Sequence, residues 1–366
     1  MSSPIPLLIL GAGFSRRAHA PALGELGPKF RVVGVFSRTE EKARAAAAAF
    51  SPQAKVFTNL EEALAQEGLE AVDVALPILP ASDAVDAALR RGLHVFSEKP
   101  IAESVERARA LIQLHASRPG QVWCVAENFR FWRTAWKVKE LIASGEIGAP
   151  VVCHYPVLVP IKATPWFRTD WRRTPEYDGG FLLDGGVHDM AALRLMLGEV
   201  TEVSAFTRSV DPELPPADTL VASLQFDSGV VANYTATYAL ERQRLTYWGV
   251  ARSLVNGAAR RVEDCHGGRK HIVGTRGSLF FSRDRVELVR GTQRTVFSMR
   301  SRAVVEELDE FWAGVREGKP VRNTPHEALR DLAVLEAMLT SARSRRFVRP
   351  APGAEPPSPV AECVLP

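Results

Sequence analysis

The sequence predicts a two-domain α/β protein. Its first part is expected to be a doubly wound parallel sheet, and its second part an α+β domain with an open, mostly antiparallel sheet. The chain has 366 residues, more than one hydrophobic core usually organises. Up to residue 127, short apolar runs alternate with helical patterns, as they do in βαβ units. From residue 128 onward, strand-like runs follow one another across short turns, which indicates antiparallel pairing.

Six strand-like runs define the first domain, residues 1–127. Ile5–Leu10 is wholly apolar apart from one proline, as expected of a strand buried on both faces. The predicted strands are Ile5–Leu10, Arg31–Phe36, Lys55–Phe57, Ala71–Leu76, Leu93–Phe96 and Gln121–Ala126. The predicted helices lie at about Phe14–Leu26, Ser82–Arg91 and Glu103–Ala116. Two more follow capping-box spacings: an alanine-rich helix to about Phe50 after Ser37 and Glu40, and a helix ending near Gly68 after Asn59 and Glu62.

The second domain, residues 128–348, has a different order of elements, with several strands in succession. Its predicted strands are Pro150–Pro160, Glu202–Arg208, Leu220–Phe226, Val230–Ala239, Leu279–Phe281 and Val286–Val289. Its predicted helices are about Thr134–Ser144, Phe181–Leu197, Arg302–Arg316 and Pro325–Ser344. The tail over residues 349–366 is rich in proline and lacks a periodic pattern, so we expect it to be loosely ordered.

Composition excludes several classes of function. The 46 basic and 42 acidic residues nearly balance and form no long basic run, so no nucleic-acid partner is needed to explain them. The four cysteines are far apart without CxxC spacing, which predicts reduced thiols and no metal site. No apolar run reaches the roughly 20 residues that span a bilayer, and no secretory signal is recognisable. We therefore expect a cytoplasmic protein without a membrane partner.

A glycine turn follows the first predicted strand. Gly11-Ala12-Gly13-Phe14-Ser15-Arg16 contains the first two glycines of the dinucleotide fingerprint, between a strand and a helix. Gly11 would permit the tight turn, and Gly13 would let backbone N–H groups reach a pyrophosphate. Arg16 stands in the position of the third glycine. The alternative is that these glycines serve only the turn.

The end of the second strand bears on the choice of cofactor. An acidic residue there would hold the ribose hydroxyls of NAD and repel a 2′-phosphate. This chain has Ser37-Arg38-Thr39 instead, a small hydroxyl followed by a cation that can pair with phosphate. We therefore predict NADP in preference to NAD. Alternatively, Ser37 caps the following helix and Arg38 is solvated.

Ser97-Glu98-Lys99-Pro100 closes the fifth predicted strand. Ligands of open parallel sheets bind beyond the carboxyl ends of the strands, so Lys99 would face the same crevice as the glycine turn. Pro100 disfavours helical geometry at Lys99. A lysine held there can hydrogen-bond a substrate hydroxyl and exchange its proton. The alternative is a surface turn with a local ion pair.

Asp184 and His188 form a second constellation. Their i, i+4 spacing places both on one helix face, where a carboxylate can orient an imidazole or raise its pKa. Gly185 and Gly186 between them weaken the helix but allow a close approach. The alternative is that Asp184 caps a helix and His188 is an ordinary, partly buried histidine.

Together these features suggest a nicotinamide-dependent oxidoreductase. The residues assigned to the cofactor are Gly11, Gly13, Phe14, Ser15, Ser37, Arg38, Leu76, Pro77, Glu98 and Lys99. The residues assigned to catalysis are Lys99, Asp184 and His188.

With these motifs in view, the chain resembles the glucose–fructose oxidoreductase, inositol dehydrogenase and rhizopine-catabolism family from Gly11 to about Ser344. The shared motifs are Glu98-Lys99-Pro100, Ala126-Glu127-Asn128-Phe129-Arg130, Gly145-Glu146-Ile147-Gly148, Trp171-Arg172, Gly179-Gly180, Leu183-Asp184-Gly185-Gly186-Val187-His188 and Gly274-Thr275-Arg276-Gly277-Ser278. The resemblance implies a Rossmann domain, NAD(P)-linked chemistry on a sugar, polyol or related hydroxy compound, and oligomerisation through the open sheet.

The resemblance also assigns roles by position. Lys99, Asp184 and His188 match the family's catalytic lysine, aspartate and histidine, and Arg172 matches a position often near the substrate. Those four residues are therefore the predicted substrate contacts. Arg16, Ala81 and Ala191 depart from the family pattern; Asp189 is an aspartate near the last of these but would face elsewhere.

Our leading hypothesis is hydride transfer between nicotinamide and a secondary alcohol or ketone of a carbohydrate-like substrate, with His188 or Lys99 exchanging the hydroxyl proton. Two alternatives stay open, since the family also contains non-catalytic dinucleotide-binding sensors and redox-neutral, NAD-dependent glycosidases.

Overall fold

The protein is described by a computed structural model covering residues 3–241 and 269–353. Two compact units are present. The first comprises Met1–Trp132, Arg302–Ala333 and Ala351–Pro366, and the second comprises Arg133–Ser301 and Val334–Pro350, as far as these ranges are described. Most of the predicted tail, residues 354–366, lies outside the described residues.

The described residues form strands and helices in the following order along the chain. The strands are β1 (Ile5–Leu10), β2 (Phe30–Phe36), β3 (Lys55–Phe57), β4 (Ala71–Val74), β5 (His94–Glu98), β6 (Trp123–Ala126), β7 (Pro150–Leu158), β8 (Val200–Arg208), β9 (Thr219–Phe226), β10 (Val231–Thr237), β11 (Lys270–Gly274), β12 (Ser278–Phe281), β13 (Arg285–Arg290) and β14 (Gln293–Ser298). The helices are α1 (Phe14–Leu26), α2 (Glu40–Phe50), α3 (Leu60–Leu64), α4 (Ile78–Arg90), α5 (Val105–Ala116), α6 (Arg133–Ala143), α7 (Asp170–Arg173), α8 (Gly180–Leu197), α9 (Ala303–Glu317) and α10 (Pro325–Ser344).

The first unit is built on a six-stranded parallel sheet with the order β3-β2-β1-β4-β5-β6. All six residues of β1 are buried, as expected of a central strand with helices on both faces. The strand order reverses between β1 and β4, so the carboxyl ends of these two strands border the crevice where doubly wound sheets bind ligands. The predicted parallel sheet is confirmed.

Local signals set the ends of the helices. Asn59 caps α3 as predicted, because its side-chain oxygen accepts from the backbone N–H of Glu62 at 3.1 Å. Helix α4 begins at Ile78, four residues before the predicted start at Ser82. Pro80 falls in the first helical turn, where a missing N–H costs no hydrogen bond, so the proline does not delay the helix.

The core of the first unit includes a helix from late in the chain. Phe311 of α9 is fully buried, with its ring 6.5 Å from that of Phe30 and 5.6 Å from that of Phe96. Ion pairs from Asp309 to Lys29 and from Arg302 to Glu25 flank this contact. Residues 302–333 therefore belong to the first unit, whereas the sequence-based division placed all of residues 128–348 in the second domain.

The second unit contains an eight-stranded sheet with the order β14-β13-β12-β11-β7-β10-β9-β8. Its neighbours pair antiparallel except β7 and β10, which are parallel, so the predicted mostly antiparallel sheet is confirmed. Alternate residues of β9 and β10 are buried, as expected of a sheet covered on one face. Helix α8 packs on the covered face, where Tyr234 of β10 donates to Asp189 at 2.9 Å.

Two strands of this sheet were not predicted. β11 begins with Lys270, which is buried, so the strand lacks the apolar run that identifies its neighbours. β14 is an edge strand whose residues are nearly all exposed, and its composition is correspondingly polar.

Candidate active site

The glycine turn joins β1 to α1 at the point where the strand order reverses. Gly11 has φ of 114°, in the region that favours glycine, and its N–H donates to the Phe36 carbonyl at 2.9 Å. A Cβ at Gly11 would lie 2.8 Å from the carbonyl carbon of Ala75, just past β4, and closer still to its oxygen. Only glycine fits here, and it brings the ends of three strands together.

The start of α1 has the features of an anion site. Gly13 is the N-cap, provides no side-chain cap and has open space where a Cβ would stand. The buried Ser15 hydroxyl donates to the Gly11 carbonyl, so this side chain is engaged within the turn. The groups suited to a ligand are the backbone N–H of Ser15 and that of the half-buried Phe14. Backbone N–H groups at a helix N-terminus attract phosphate. The turn therefore fits the pyrophosphate of a dinucleotide.

Ser37 and Arg38, the two residues predicted to contact the ribose or its 2′-phosphate, follow the end of β2. Ser37 is half-buried, and its Oγ accepts from the N–H of Thr39 at 3.5 Å. Thr39, not Ser37, is the N-cap of α2, so the alternative role of Ser37 as the cap is wrong. Arg38 is exposed and forms no ion pair with the residues that the structure describes. The acidic side chain of Glu40 is engaged by Arg44 at 3.0 Å.

The remaining first-unit candidates lie beyond β4 and β5. Leu76 and Pro77 follow β4 and are half-buried, and Pro77 is the N-cap of α4. Lys99 follows β5, is partly exposed, and forms a cis peptide bond with Pro100. Because β1, β4 and β5 are parallel neighbours, the residues after their ends share one edge of the sheet with the glycine turn.

Glu98 occupies a place that was not predicted. Its carboxylate lies 3.0 Å from the imidazole of His19, which is also bound to Asp73. His19 and Asp73 were not among the candidate residues. They are 54 residues apart in the chain, and no local motif marks them.

In the second unit, Asp184 lies on α8 and is held by Arg172. Its Oδ2 accepts from Arg172 Nε at 2.7 Å, and Arg172 also donates to the Thr169 hydroxyl at 3.2 Å. The guanidinium lies 3.9 Å from the ring centroid of Trp171, a cation–π geometry. Two predicted substrate residues are thus an ion pair set against an aromatic ring.

Tyrosines surround the Asp184 carboxylate. Burial and the charge of Asp184 raise the pKa of Tyr177, so this phenol stays protonated at neutral pH. A Cβ at Gly185 would lie 3.0 Å from the ring of the buried Tyr238 and closer to its hydroxyl. Gly185 therefore permits a close approach between α8 and the phenol.

His188 lies one turn after Asp184 and is partly exposed, whereas its neighbour Asp189 is fully buried. Asp189 faces the sheet, as predicted for a residue pointing away from His188. Burial raises the pKa of Asp189 to about 6, against the opposing charge of Lys270 and the hydrogen bond from Tyr234. This carboxyl belongs to the packing of α8 on the sheet.

Within residues 3–241 and 269–353, none of the helices is both long and apolar enough to cross a membrane. No group of three or more His, Cys, Asp or Glu side chains in these ranges could hold a metal ion. Cys124 and Cys153 are buried thiols, and Cys265 and Cys363 lie outside the described residues.

Comparison with known proteins gives relatives along nearly the whole chain. The dehydrogenase FPY6 of Fusarium mangiferae is 29% identical over 366 aligned residues, covering 92% of this chain and 96% of the relative. A solved oxidoreductase from Thermotoga maritima is 34% identical with a TM-score of 0.83, covering 94% of this chain and 98% of that chain. D-xylose 1-dehydrogenase (NADP(+)) 2 of Haloferax volcanii is 32% identical over 235 residues, covering 63% of this chain and 68% of the relative.

Two family models match separate parts of the chain. Residues 5–125 match an oxidoreductase family's NAD-binding Rossmann fold, and residues 139–349 match the same family's C-terminal alpha/beta domain. The first range contains the glycine turn and Lys99, and the second contains Asp184 and His188. The chain belongs to the glucose–fructose oxidoreductase, inositol dehydrogenase and MocA family of NAD(P)-dependent oxidoreductases.

Proposed function

We propose that this chain transfers a hydride between nicotinamide and a secondary alcohol or ketone of a sugar, polyol or related small molecule, with NADP preferred to NAD. The glycine turn is the observation that carries the proposal. Gly11 closes against the end of β4, while Gly13 leaves open space at an uncapped helix start. When bound, the nicotinamide accepts or supplies the hydride. The family and the sugar named in the Haloferax relative support a carbohydrate-like substrate.

The preference for NADP rests on charge at the end of β2. Arg38 offers an exposed guanidinium suited to the 2′-phosphate, and the Ser37 hydroxyl stands beside it. Glu40, an acidic residue close in sequence, is engaged by Arg44 and contributes little repulsion. The local charge therefore favours a phosphorylated ribose.

Fluorescence titration with NADPH and NADH tests the cofactor. We expect tighter NADPH binding in the wild type, and about a 10- to 100-fold loss for NADPH alone in Arg38→Met, since a hydrogen bond to a charged group contributes about 1.5–3 kcal/mol. Arg31→Met removes an equal, exposed charge from the opposite end of β2 and is the control. Equal affinities in the wild type, or equal losses for both cofactors in Arg38→Met, would reject the preference.

Lys99, Asp184 and His188 are proposed to handle the substrate proton. The Lys99 ammonium can donate to, or the free amine accept from, a substrate hydroxyl. The His188 imidazole, one helical turn after Asp184 on α8, can do the same. Arg172 fixes Asp184 through the 2.7 Å bond and is a substrate contact in this proposal.

Nicotinamide absorbance tests the reaction directly. Protein with NADP or NADPH is mixed with a panel of sugars, polyols and keto-sugars, and Lys99→Met and His188→Gln are compared with the wild type. We expect substrate-dependent turnover that each variant loses. NADPH binding should persist in His188→Gln, which alters no residue assigned to the cofactor. Binding without turnover on any panel member would favour a sensor, and release of a glycosidic leaving group without net cofactor change would favour a glycosidase.

Self-association is proposed for the open face of the eight-stranded sheet. Phe206 on β8 is 71% exposed and pairs in register with Val221 on β9, which is also exposed. Large exposed apolar residues side by side are typical of interfaces. Sedimentation of the wild type and Phe206→Lys tests this: the variant should dissociate, and an unchanged mass would contradict the assignment.

A further inference from the structure

A buried histidine joins three elements beneath the glycine turn. His19 of α1 has an exposed fraction of 0%. Its Nδ1 lies 2.8 Å from Oδ2 of Asp73 on β4, and its Nε2 lies 3.0 Å from Oε1 of Glu98 at the end of β5. The rings of Phe14 and Phe96 meet the imidazole edge to face, with centroids at 5.3 and 5.7 Å. Polar and aromatic neighbours thus fix its orientation.

The contacts of His19 with Asp73 and Glu98 determine how many protons the three side chains must share. A neutral imidazole has one N–H donor and one lone-pair nitrogen, whereas an ionised carboxylate only accepts. With His19 between Asp73 and Glu98, a neutral ring would face one carboxylate with its lone pair. The arrangement therefore needs one more proton, and only an imidazolium donates to both carboxylates at once.

Further acidic groups surround the cluster. Glu307 of α9 is 1% exposed, its Oε2 has no hydrogen-bond partner among the described residues, and burial followed by the charge of Glu98 raises its pKa well above the usual range. Glu127, after β6, is also buried, and its charge contributes to the raised pKa of Glu307. Burial lowers the pKa of His19, but Asp73 and Glu98 outweigh it and the net shift is upward. The surroundings thus favour a positive charge on the ring.

The cluster touches both parts of the first-unit candidate site. Ser15 and His19 are one helical turn apart on the buried side of α1, and Ser15 holds the Gly11 carbonyl. Glu98, the other carboxylate partner, directly precedes Lys99. His19 therefore connects the helix that starts at the glycine turn to the strand end that carries the lysine.

We propose that His19 is a positioning residue, an imidazolium that bridges Asp73 and Glu98 and so fixes the end of β5, with Lys99, against α1. The proposal rests on the proposed function only where it gives Lys99 a role in proton transfer. The proposal adds a buried positive charge on His19, whose contacts hold the strand end that precedes Lys99.

The protonation is tested by NMR of ¹⁵N-histidine-labelled wild-type protein, with His19→Gln identifying the His19 signals among the eight histidines. We expect both ring nitrogens of His19 to keep imidazolium shifts at pH 8, well above the usual titration near 6.5. A His19 ring that is neutral at pH 7 overturns the proposal.

The positioning is tested by hydrogen exchange and by kinetics. His19→Gln should speed amide exchange in residues 97–102, whereas His115→Gln, which removes another histidine of the same unit that bonds to the Gln121 carbonyl, should not. If the wild type turns over a sugar, His19→Gln should lower kcat by about 10- to 100-fold through misplacement of Lys99. Because the misplacement affects the proton-transferring group, KM for the sugar should change much less than kcat.

The outcomes separate the two proposals. A wild type without turnover contradicts the proposed function, while the NMR and exchange results still decide the role of His19. Unchanged exchange in residues 97–102 overturns the positioning role, as does a wild-type kcat in His19→Gln. Glu98→Gln added to His19→Gln removes the opposed carboxylate and should restore the wild-type exchange rate in part; no restoration would count against the bridge.

Discussion

The glycine turn offers a comparison in which stability and cofactor binding should separate. Gly11 and Gly13 lie two residues apart, but their surroundings differ. A Cβ at Gly11 would meet the carbonyl group of Ala75, whereas a Cβ at Gly13 has nothing within 4 Å. If the open space at Gly13 is where a pyrophosphate approaches the backbone, the methyl group of Gly13→Ala should obstruct the ligand and leave the fold intact.

The expected magnitudes follow from the geometry. Gly11→Ala places a side chain at φ of 114°, which costs about 1–3 kcal/mol, and forces a displacement of the β4 end that costs a similar amount. We expect a loss of about 3 kcal/mol in the free energy of unfolding. Gly13→Ala has φ of −94° and no clash, so its stability should stay within about 0.5 kcal/mol of the wild type.

The assay combines urea unfolding with NADPH titration by fluorescence. Gly24→Ala, also without neighbours within 4 Å but inside α1 near its other end, is the control for a glycine-to-alanine change away from the turn. We expect Gly13→Ala to lose at least about tenfold in NADPH affinity, because the ligand forfeits charge-assisted bonds to backbone N–H groups. Wild-type affinity for both NADPH and NADH in Gly13→Ala would refute the assignment of the turn to the pyrophosphate.

Three further substitutions test the packing around the two candidate regions, each by urea unfolding. Phe311→Ala should cost about 3–5 kcal/mol, because the ring is fully buried between two other phenylalanines; a loss below about 1 kcal/mol would contradict its place in the first core. Arg172→Met removes the guanidinium from Asp184 and should cost about 3 kcal/mol, part of which Asp184→Asn in the same chain should return. The pKa of the Asp189 carboxyl is raised from 3.8 to about 6, so near pH 5 the folded state keeps a proton that the unfolded chain releases. The wild type should therefore lose about 2 kcal/mol of stability relative to Asp189→Asn as the pH rises from 4 to 6. A constant difference would contradict burial as the cause.

Elements specified by neighbouring residues could be predicted from the sequence. The buried run of β1, the Asn59 cap of α3 and the glycine that stops α8 at Gly198 are each signalled within a few residues. The same is true of the glycine turn and the lysine after β5. In a parallel sheet, strand ends carry ligand-binding residues, so an element pattern alone places Gly11 and Lys99 on one edge.

Features that depend on distant contacts could not be predicted. The return of α9 to the first core depends on Phe311 meeting Phe30 and Phe96, and nothing near residue 311 announces those partners. Likewise, the partner of Asp184 is Arg172, which lies outside α8 and was assigned only to the substrate. Strand β11 was not predicted for a related reason. It begins with the charged Lys270, which is buried near Asp189, a residue distant in the sequence.

The position of the third fingerprint glycine affects how α1 is held against the sheet. A small residue there normally lets the helix pack closely against the strands. In this chain Arg16 occupies the position and is exposed, while Ser15 and His19, which are buried in the first part of α1, form hydrogen bonds to Gly11 and Asp73. Because the His19 bond to Asp73 depends on the charge of the ring, α1 and the strand end that carries Lys99 should both loosen when the pH is high enough to deprotonate His19, whereas the Ser15 bond to Gly11 should persist.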